Sequence, residues 1–159
     1  MIPRIGWYSK DQSKFIVDVQ FERNYKETTS RKIPIGAYVY SYAKSVEDAR
    51  KEAQETVNYL KSTGKTKFDL PIFFDIEDDT QISLGRETIS QMTIAFCEVI
   101  KSAGFKTGVY SYSYWLTNYM DLSMLPEDYN IWVADFGKST GQMPSDIYKY
   151  SNGYDIWQY

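Results

Sequence analysis

The chain has 159 residues, 43% of them hydrophobic, which is enough for one domain with a sizeable core. Its formal charge of −3 is spread over scattered Lys and Arg, so neither nucleic acid nor an anionic membrane surface is expected as a partner. There is no His, which excludes Ser-His-Asp and Cys-His nucleophile systems and His-containing zinc sites, and the single cysteine excludes a disulfide within the chain.

Arg4 to Tyr8 reads as a short strand, and Asp18 to Arg31 has helical character with Val19, Phe21 and Tyr25 on one side. Ile33 to Tyr42 is a strand candidate. Ser45, with Asp48 three residues on, is a variant of the capping box. It opens a helix to about Ser62, whose apolar positions are Val46, Ala49, Ala53, Val57 and Leu60 and whose stop is Gly64.

From Leu70 an apolar run with the composition of a buried strand ends in four acids, Asp75, Glu77, Asp78 and Asp79, with Ile76 among them. Glu87 to Ala103 is a second helix, with Ile89, Met92, Ala95, Phe96, Val99 and Ile100 as its stripe and Cys97 as a small buried hydrophobe. Thr107 to Tyr112 (strand), Tyr114 to Met120 (helix), Asn130 to Phe136 (strand) and Tyr154 to Tyr159 (strand) follow. Gly137 to Gly153 reads as an irregular loop. No apolar run is long enough to span a bilayer. Strands alternating with helices predict an α/β fold with a mainly parallel sheet, in which sites form at the C-terminal ends of strands.

Asp75 and Glu77 lie at such an end. Residues two apart in a strand share a face, so the two carboxyls project side by side. Two acids held close and buried cannot both ionise freely, and one is driven to keep its proton. This is the requirement for a general acid beside an anion, as in glycoside hydrolysis. The same residues also suit a helix cap, a salt bridge with Arg4 or a lysine, or, with Asp78 and Asp79, a Mg²⁺ or Ca²⁺ site. No EF-hand spacing is present, and neither metal nor cofactor is expected.

Aromatics make up 17% of the chain, including 15 Tyr and 4 Trp. They serve as core material, or as rings that stack on the apolar faces of sugars while their hydroxyls bind the sugar's own. Tyr38, Tyr40 and Tyr42 alternate, as do Tyr110, Tyr112 and Tyr114. Tyr40 and Tyr110, nearest the strand ends, are the first candidates to line a cleft, followed by Tyr38, Trp132, Trp157 and Gln158. Asp135, at the end of its strand, is a helper carboxylate or a loop acid.

The series Arg4-Ile5-Gly6-Trp7, Phe21-x-x-Asn24-Tyr25, Ile35-Gly36-Ala37-Tyr38-x-Tyr40-Ser41-Tyr42-Ala43, Leu70-Pro71-x-x-x-Asp75-Ile76-Glu77-Asp78, Gly104-Phe105-x-x-Gly108-Val109-Tyr110, Ile131-Trp132-Val133-Ala134 and Ile156-Trp157-Gln158-Tyr159 resembles glycoside hydrolase family 25, the Chalaropsis-type muramidases of bacteria and phages. The resemblance covers nearly the whole chain. It implies one catalytic domain over residues 1–159 with a flattened β/α barrel. It also implies cleavage of the β-1,4 bond between N-acetylmuramic acid and N-acetylglucosamine in bacterial peptidoglycan, at the cell wall and outside the cell. By motif, Glu77 is the proton donor, Asp75 its electrostatic or orienting partner, and Tyr40 and Tyr110 line the cleft. Against the family pattern, the first strand with its Asp-Val/Ile-Ser motif and the closing Val-Asp-x-Asn segment are expected to be missing. No signal peptide is expected ahead of Arg4. A missing strand predicts an incomplete barrel with an open sheet edge, a possible dimer across it, and either weak catalysis or a peptidoglycan-binding remnant.

Overall fold

The computed structural model describes residues 1–136 and 152–159, and the expected loop of residues 137–153 lies mostly outside them. The elements in chain order are β1 (Arg4–Tyr8), β2 (Phe15–Val17), α1 (Phe21–Ser30), β3 (Ala37–Tyr40), α2 (Val46–Ser62), β4 (Ile72–Asp75), a 3₁₀ turn (Asp79–Leu84), α3 (Arg86–Ser102), β5 (Thr107–Tyr112), α4 (Ser113–Asn118), a second 3₁₀ turn (Leu122–Met124), β6 (Asn130–Ala134) and β7 (Ile156–Gln158). The strands form one seven-stranded sheet in the order β2-β1-β3-β4-β5-β6-β7. Every pairing is parallel except that of β1 with β2. The sheet does not close among the described residues, and β2 and β7 form its edges.

Local chemistry accounts for the helix ends. The Ser45 hydroxyl accepts the Asp48 N–H at 3.1 Å, satisfying one of the orphan donors that open α2. At the other end of α3, Gly104 adopts φ +94°. Its N–H bonds the Lys101 carbonyl, and the Phe105 N–H bonds that of Ile100, which is a Schellman closure. Gly108 is required for a different reason. A Cβ there would stand 2.0 Å from the Asn130 carbonyl oxygen, so no side chain fits between β5 and β6.

The two faces of the sheet differ. One carries Ile5, Ala37, Val39, Ile72, Phe74, Val109 and Val133, packed against the stripes of α2 and α3 in a large apolar core. Phe74 stacks on Phe96 with ring centroids 4.6 Å apart. The other face carries a smaller cluster of Phe73, Tyr110 and Ala134, flanked by Ile2, Tyr38, Trp132 and Ile156. Alternation along each strand sorts residues between the faces, which is why β4 is buried throughout: Phe73 and Asp75 face one way, Ile72 and Phe74 the other.

Three elements differ from sequence expectation. β2 is a short antiparallel partner of β1, formed in a stretch to which the sequence alone assigns no element. β3 is confined to Ala37–Tyr40, because Ile33 to Gly36 makes isolated bonds to the chain terminus and to Asp69 rather than a ladder. Asp75 ends β4, so Glu77 lies just beyond the strand.

Candidate active site

β4 sits in the middle of the sheet, and its register sets Asp75 opposite Tyr40 of β3 and Tyr110 of β5. The chain beyond the strand is fixed from both sides. The Ser41 N–H donates to the Asp75 carbonyl at 2.9 Å, the Ile76 N–H to the Tyr110 carbonyl at 3.1 Å, and the Ser111 hydroxyl to the Ile76 carbonyl at 2.6 Å. Ile76 is buried on the helix side, so the extended chain carries Asp75 and Glu77 together onto the opposite side.

The acid run then turns away. The Asp78 carboxylate accepts the Thr80 N–H and hydroxyl, capping the 3₁₀ turn, while the Asp78 N–H donates to the Gln81 side chain. Gln81 is fully buried, and its Nε2 donates to the Ala43 carbonyl at 2.8 Å and the Ser41 carbonyl at 3.4 Å. Gln81 therefore ties the acid loop to the end of β3. Sequence reasoning missed it; the Asp78-x-x-Gln81 capping spacing was the available signal.

Asp75 is only 3% exposed, and among the described residues its Oδ1 has no hydrogen-bond partner; Oε2 of the half-buried Glu77 has none there either. Burial pushes the Asp75 carboxyl well above the usual carboxylate range, Glu77 adds to this, and Arg4 opposes it. Burial and then Asp78 raise Glu77. The surrounding phenols rise as well: Tyr40 and Tyr110 through burial and then Glu77, Tyr112 through Glu77 first. At neutral pH the site therefore holds protonated phenols around two carboxyls that resist losing both protons, which is an arrangement able to donate a proton beside an anion.

The remaining candidates divide. Trp132 packs with ring centroids 4.5 Å from Tyr110, 5.3 Å from Phe73 and 6.1 Å from Tyr38, so Trp132 and Tyr38 belong to the aromatic cluster on the sheet face that carries the acid pair. The Trp132 indole N–H is buried without a partner among the described residues. Gln158 follows Ile156 on the site face of β7. Trp157 corrects an expectation. It packs against the helix-side core, and its Nε1 donates to the Asp135 carbonyl at 3.1 Å, because β7 alternates in step with β6. The Asp135 carboxylate accepts the Ser113 hydroxyl at 2.8 Å at the start of α4. Tyr112, 41% exposed and in contact with Phe136, joins the site at its rim.

Among the described residues, no group of three or more Asp, Glu or Cys converges to hold a metal ion. The Asp78 carboxylate is committed to its cap. A cleft of about 640 Å³ lies on the helical side, lined by Arg50, Lys61, Glu98, Lys101 and Tyr129 among others, away from the acid pair. Its only acid, Glu98, is half-exposed and faces Arg50 at 3.9 Å, so it has none of the buried unpaired chemistry of the strand-end site.

The sequence model described as Glycosyl hydrolases family 25 matches residues 9–159. The chain belongs to this family. The family 25 fold is also found in solved structures. The catalytic domain of endolysin ply40, from bacteriophage P40 of Listeria monocytogenes, is 28% identical at TM-score 0.74, covering 99% of this chain and 71% of that one. The modular autolysin LytC of Streptococcus pneumoniae, solved with a synthetic peptidoglycan ligand, is 24% identical at TM-score 0.75, covering 99% of this chain and 36% of that one. The spore cortex lytic enzyme SleM of Clostridium perfringens shares the fold at TM-score 0.77 and 19% identity, covering 99% and 53%. This family 25 chain thus spans about a third of LytC and about half of SleM. No curated protein sequence is significantly similar to it.

Proposed function

We propose that this chain hydrolyses the β-1,4 bond between N-acetylmuramic acid and N-acetylglucosamine in bacterial peptidoglycan, acting as a single catalytic unit at the cell wall. The observation that carries this reading is the pair of carboxyls at the end of β4, each with a buried oxygen lacking a partner, ringed by phenols and set in a family 25 chain. Glu77, whose carboxyl burial raises above its ordinary value, acts as the proton donor and gives its proton to the glycosidic oxygen as the bond to the anomeric carbon breaks. The bonding electrons leave with that oxygen, and positive charge builds on the sugar ring. Asp75 lies on the same side as an anion that stabilises this charge, or that orients the sugar's N-acetyl group. Water then completes the hydrolysis, and its proton restores the pair. Tyr40, Tyr110 and Tyr112 stay protonated and offer rings to sugar faces and hydroxyls to sugar oxygens.

The test uses purified peptidoglycan, with new reducing ends trapped by borohydride. Turbidity should fall and muramitol should appear. Glucosaminitol instead of muramitol overturns the bond assignment. Wall binding without new reducing ends overturns hydrolysis in favour of a binding remnant.

A further inference from the structure

Arg4 stands on β1 two residues after Ile2, which packs on the Phe73–Tyr110–Ala134 cluster, so Arg4 shares the site face of the sheet. Its register partner on β3 is Tyr38, two residues before the Tyr40 that pairs with Asp75. The guanidinium is held rather than free. Its Nε and Nη2 both lie 2.8 Å from Asp18 Oδ2, and its plane sits 4.6 Å from the Trp7 ring. Asp18 is itself fixed: its N–H donates to the Ile5 carbonyl at 2.8 Å, and its Oδ1 accepts the Gln20 N–H at 2.9 Å. Nη1 of Arg4 makes no hydrogen bond to any described residue.

Asp75 feels Glu77 and, from β1, Arg4, while Glu77 feels Asp78 from the turn after β4. The two acids in turn raise Tyr38 and Tyr40 on β3 and Tyr110 and Tyr112 on β5, and both Arg4 and Asp18 act on Tyr38. The phenols are neutral. Arg4 is the cation that counters the burial of Asp75.

We propose that Arg4, locked by Asp18, is a positioning residue for the acid pair: its fixed charge lets one carboxyl ionise while the other keeps its proton. Without a cation on that face, a buried carboxyl beside a half-buried one is driven to keep its proton, which leaves a donor but no anion to meet the sugar's positive charge. This rests on the reading of Asp75 and Glu77 as acid and anion. The two can fail separately, because the decisive measurement needs no turnover.

That measurement is a carboxyl ¹³C NMR titration of the whole chain, labelled at Asp and Glu, with the pair assigned through D75N and E77Q. R4Q should move the pair's midpoints to higher pH. D18N keeps the cation, removes its counter-charge and retains an Asn able to cap at Gln20, so it should move them to lower pH. Both variants break the same ion pair, so a merely structural role would move them in the same direction. Midpoints unmoved in R4Q, or unmoved or raised in D18N, overturn the proposal. If R4Q does not fold, D18N decides alone. Where wild-type hydrolysis is measured, its pH profile should follow the same displacements, with R4K restoring the wild-type position.

Discussion

The two faces of this sheet are built from the same strands and hold different kinds of polar group. On the helix side, buried polar side chains find backbone partners: Thr107 donates to the Ile72 carbonyl, Ser111 to that of Ile76 and Thr93 to that of Ile89. On the other face, Asp75 Oδ1, Glu77 Oε2 and the Trp132 indole N–H are buried without partners among the described residues. Unsatisfied buried polar atoms cost stability, typically about 1–3 kcal/mol each, so their concentration on one face marks where the fold gives up stability for chemistry. Only Gln12 and Glu52 repeat the pattern elsewhere among the described residues, and there the Glu52 carboxylate at least accepts the Gln12 side-chain and Tyr42 backbone N–H groups.

The contrast can be broken most forcefully at Glu77. Glu77→Gln should lower hydrolysis by roughly 10²–10⁴-fold, as loss of a general acid does. Melting should be unchanged or raised, since the buried carboxyl is gone; wild-type release of reducing ends would remove Glu77 from its role. Phe74→Ala, one residue from Asp75 but on the helix face, should do the reverse. Its ring is fully buried on Phe96, so urea unfolding should show a loss of about 3–5 kcal/mol while the rate per folded molecule holds. A variant that folds as well as wild type but hydrolyses far more slowly would erase the division between the faces.

Glu52 gives a prediction in pH. Burial raises its carboxyl from 4.5 to about 7, hydrogen bonds from Ser41, Gln12 and Tyr42 acting against this. A raised acid contributes its full stability below the unfolded value and loses it as pH climbs through the folded one. Between about pH 4.5 and pH 7 the wild type should therefore lose up to roughly 3 kcal/mol from this group. Glu52→Gln should flatten that slope in melts across the range; an unchanged slope would place the pH dependence with the acid pair instead. The smallest effect is expected at the rim. Tyr112→Phe keeps the ring and removes one hydroxyl, so kcat/KM should fall by several-fold, in line with about 0.5–1.5 kcal/mol for one hydrogen bond. No change would leave Tyr112 outside the substrate contacts.

Legibility followed the range of the interactions. The Ser45 cap, the stripes of α2 and α3 and the span of β5 depend on neighbours within a few residues, and all could be read locally. β2 could not, because Phe15–Val17 becomes a strand only by pairing with β1. Trp157 was misplaced for a similar reason, since its face depends on the register of β7 against β6. Gln81 and Asp18 escaped notice, and Arg4 was weighed only as a salt-bridge partner of the acid pair, because each acts on a partner distant in sequence, such as Gln81 on Ala43 and Arg4 on Asp18.

By itself, the sequence determined an α/β chain with an apolar strand ending in Asp75 and Glu77, because hydrophobic period and acid spacing are local properties. The family followed from motifs in their order. The tertiary structure alone decided that Asp75 lies between Tyr40 and Tyr110, that Gln81 and paired backbones hold the acid loop, and that Arg4 is paired with Asp18 and set opposite Tyr38. Those outcomes depend on strand register and on burial, and burial, not spacing, is what makes a carboxyl keep its proton.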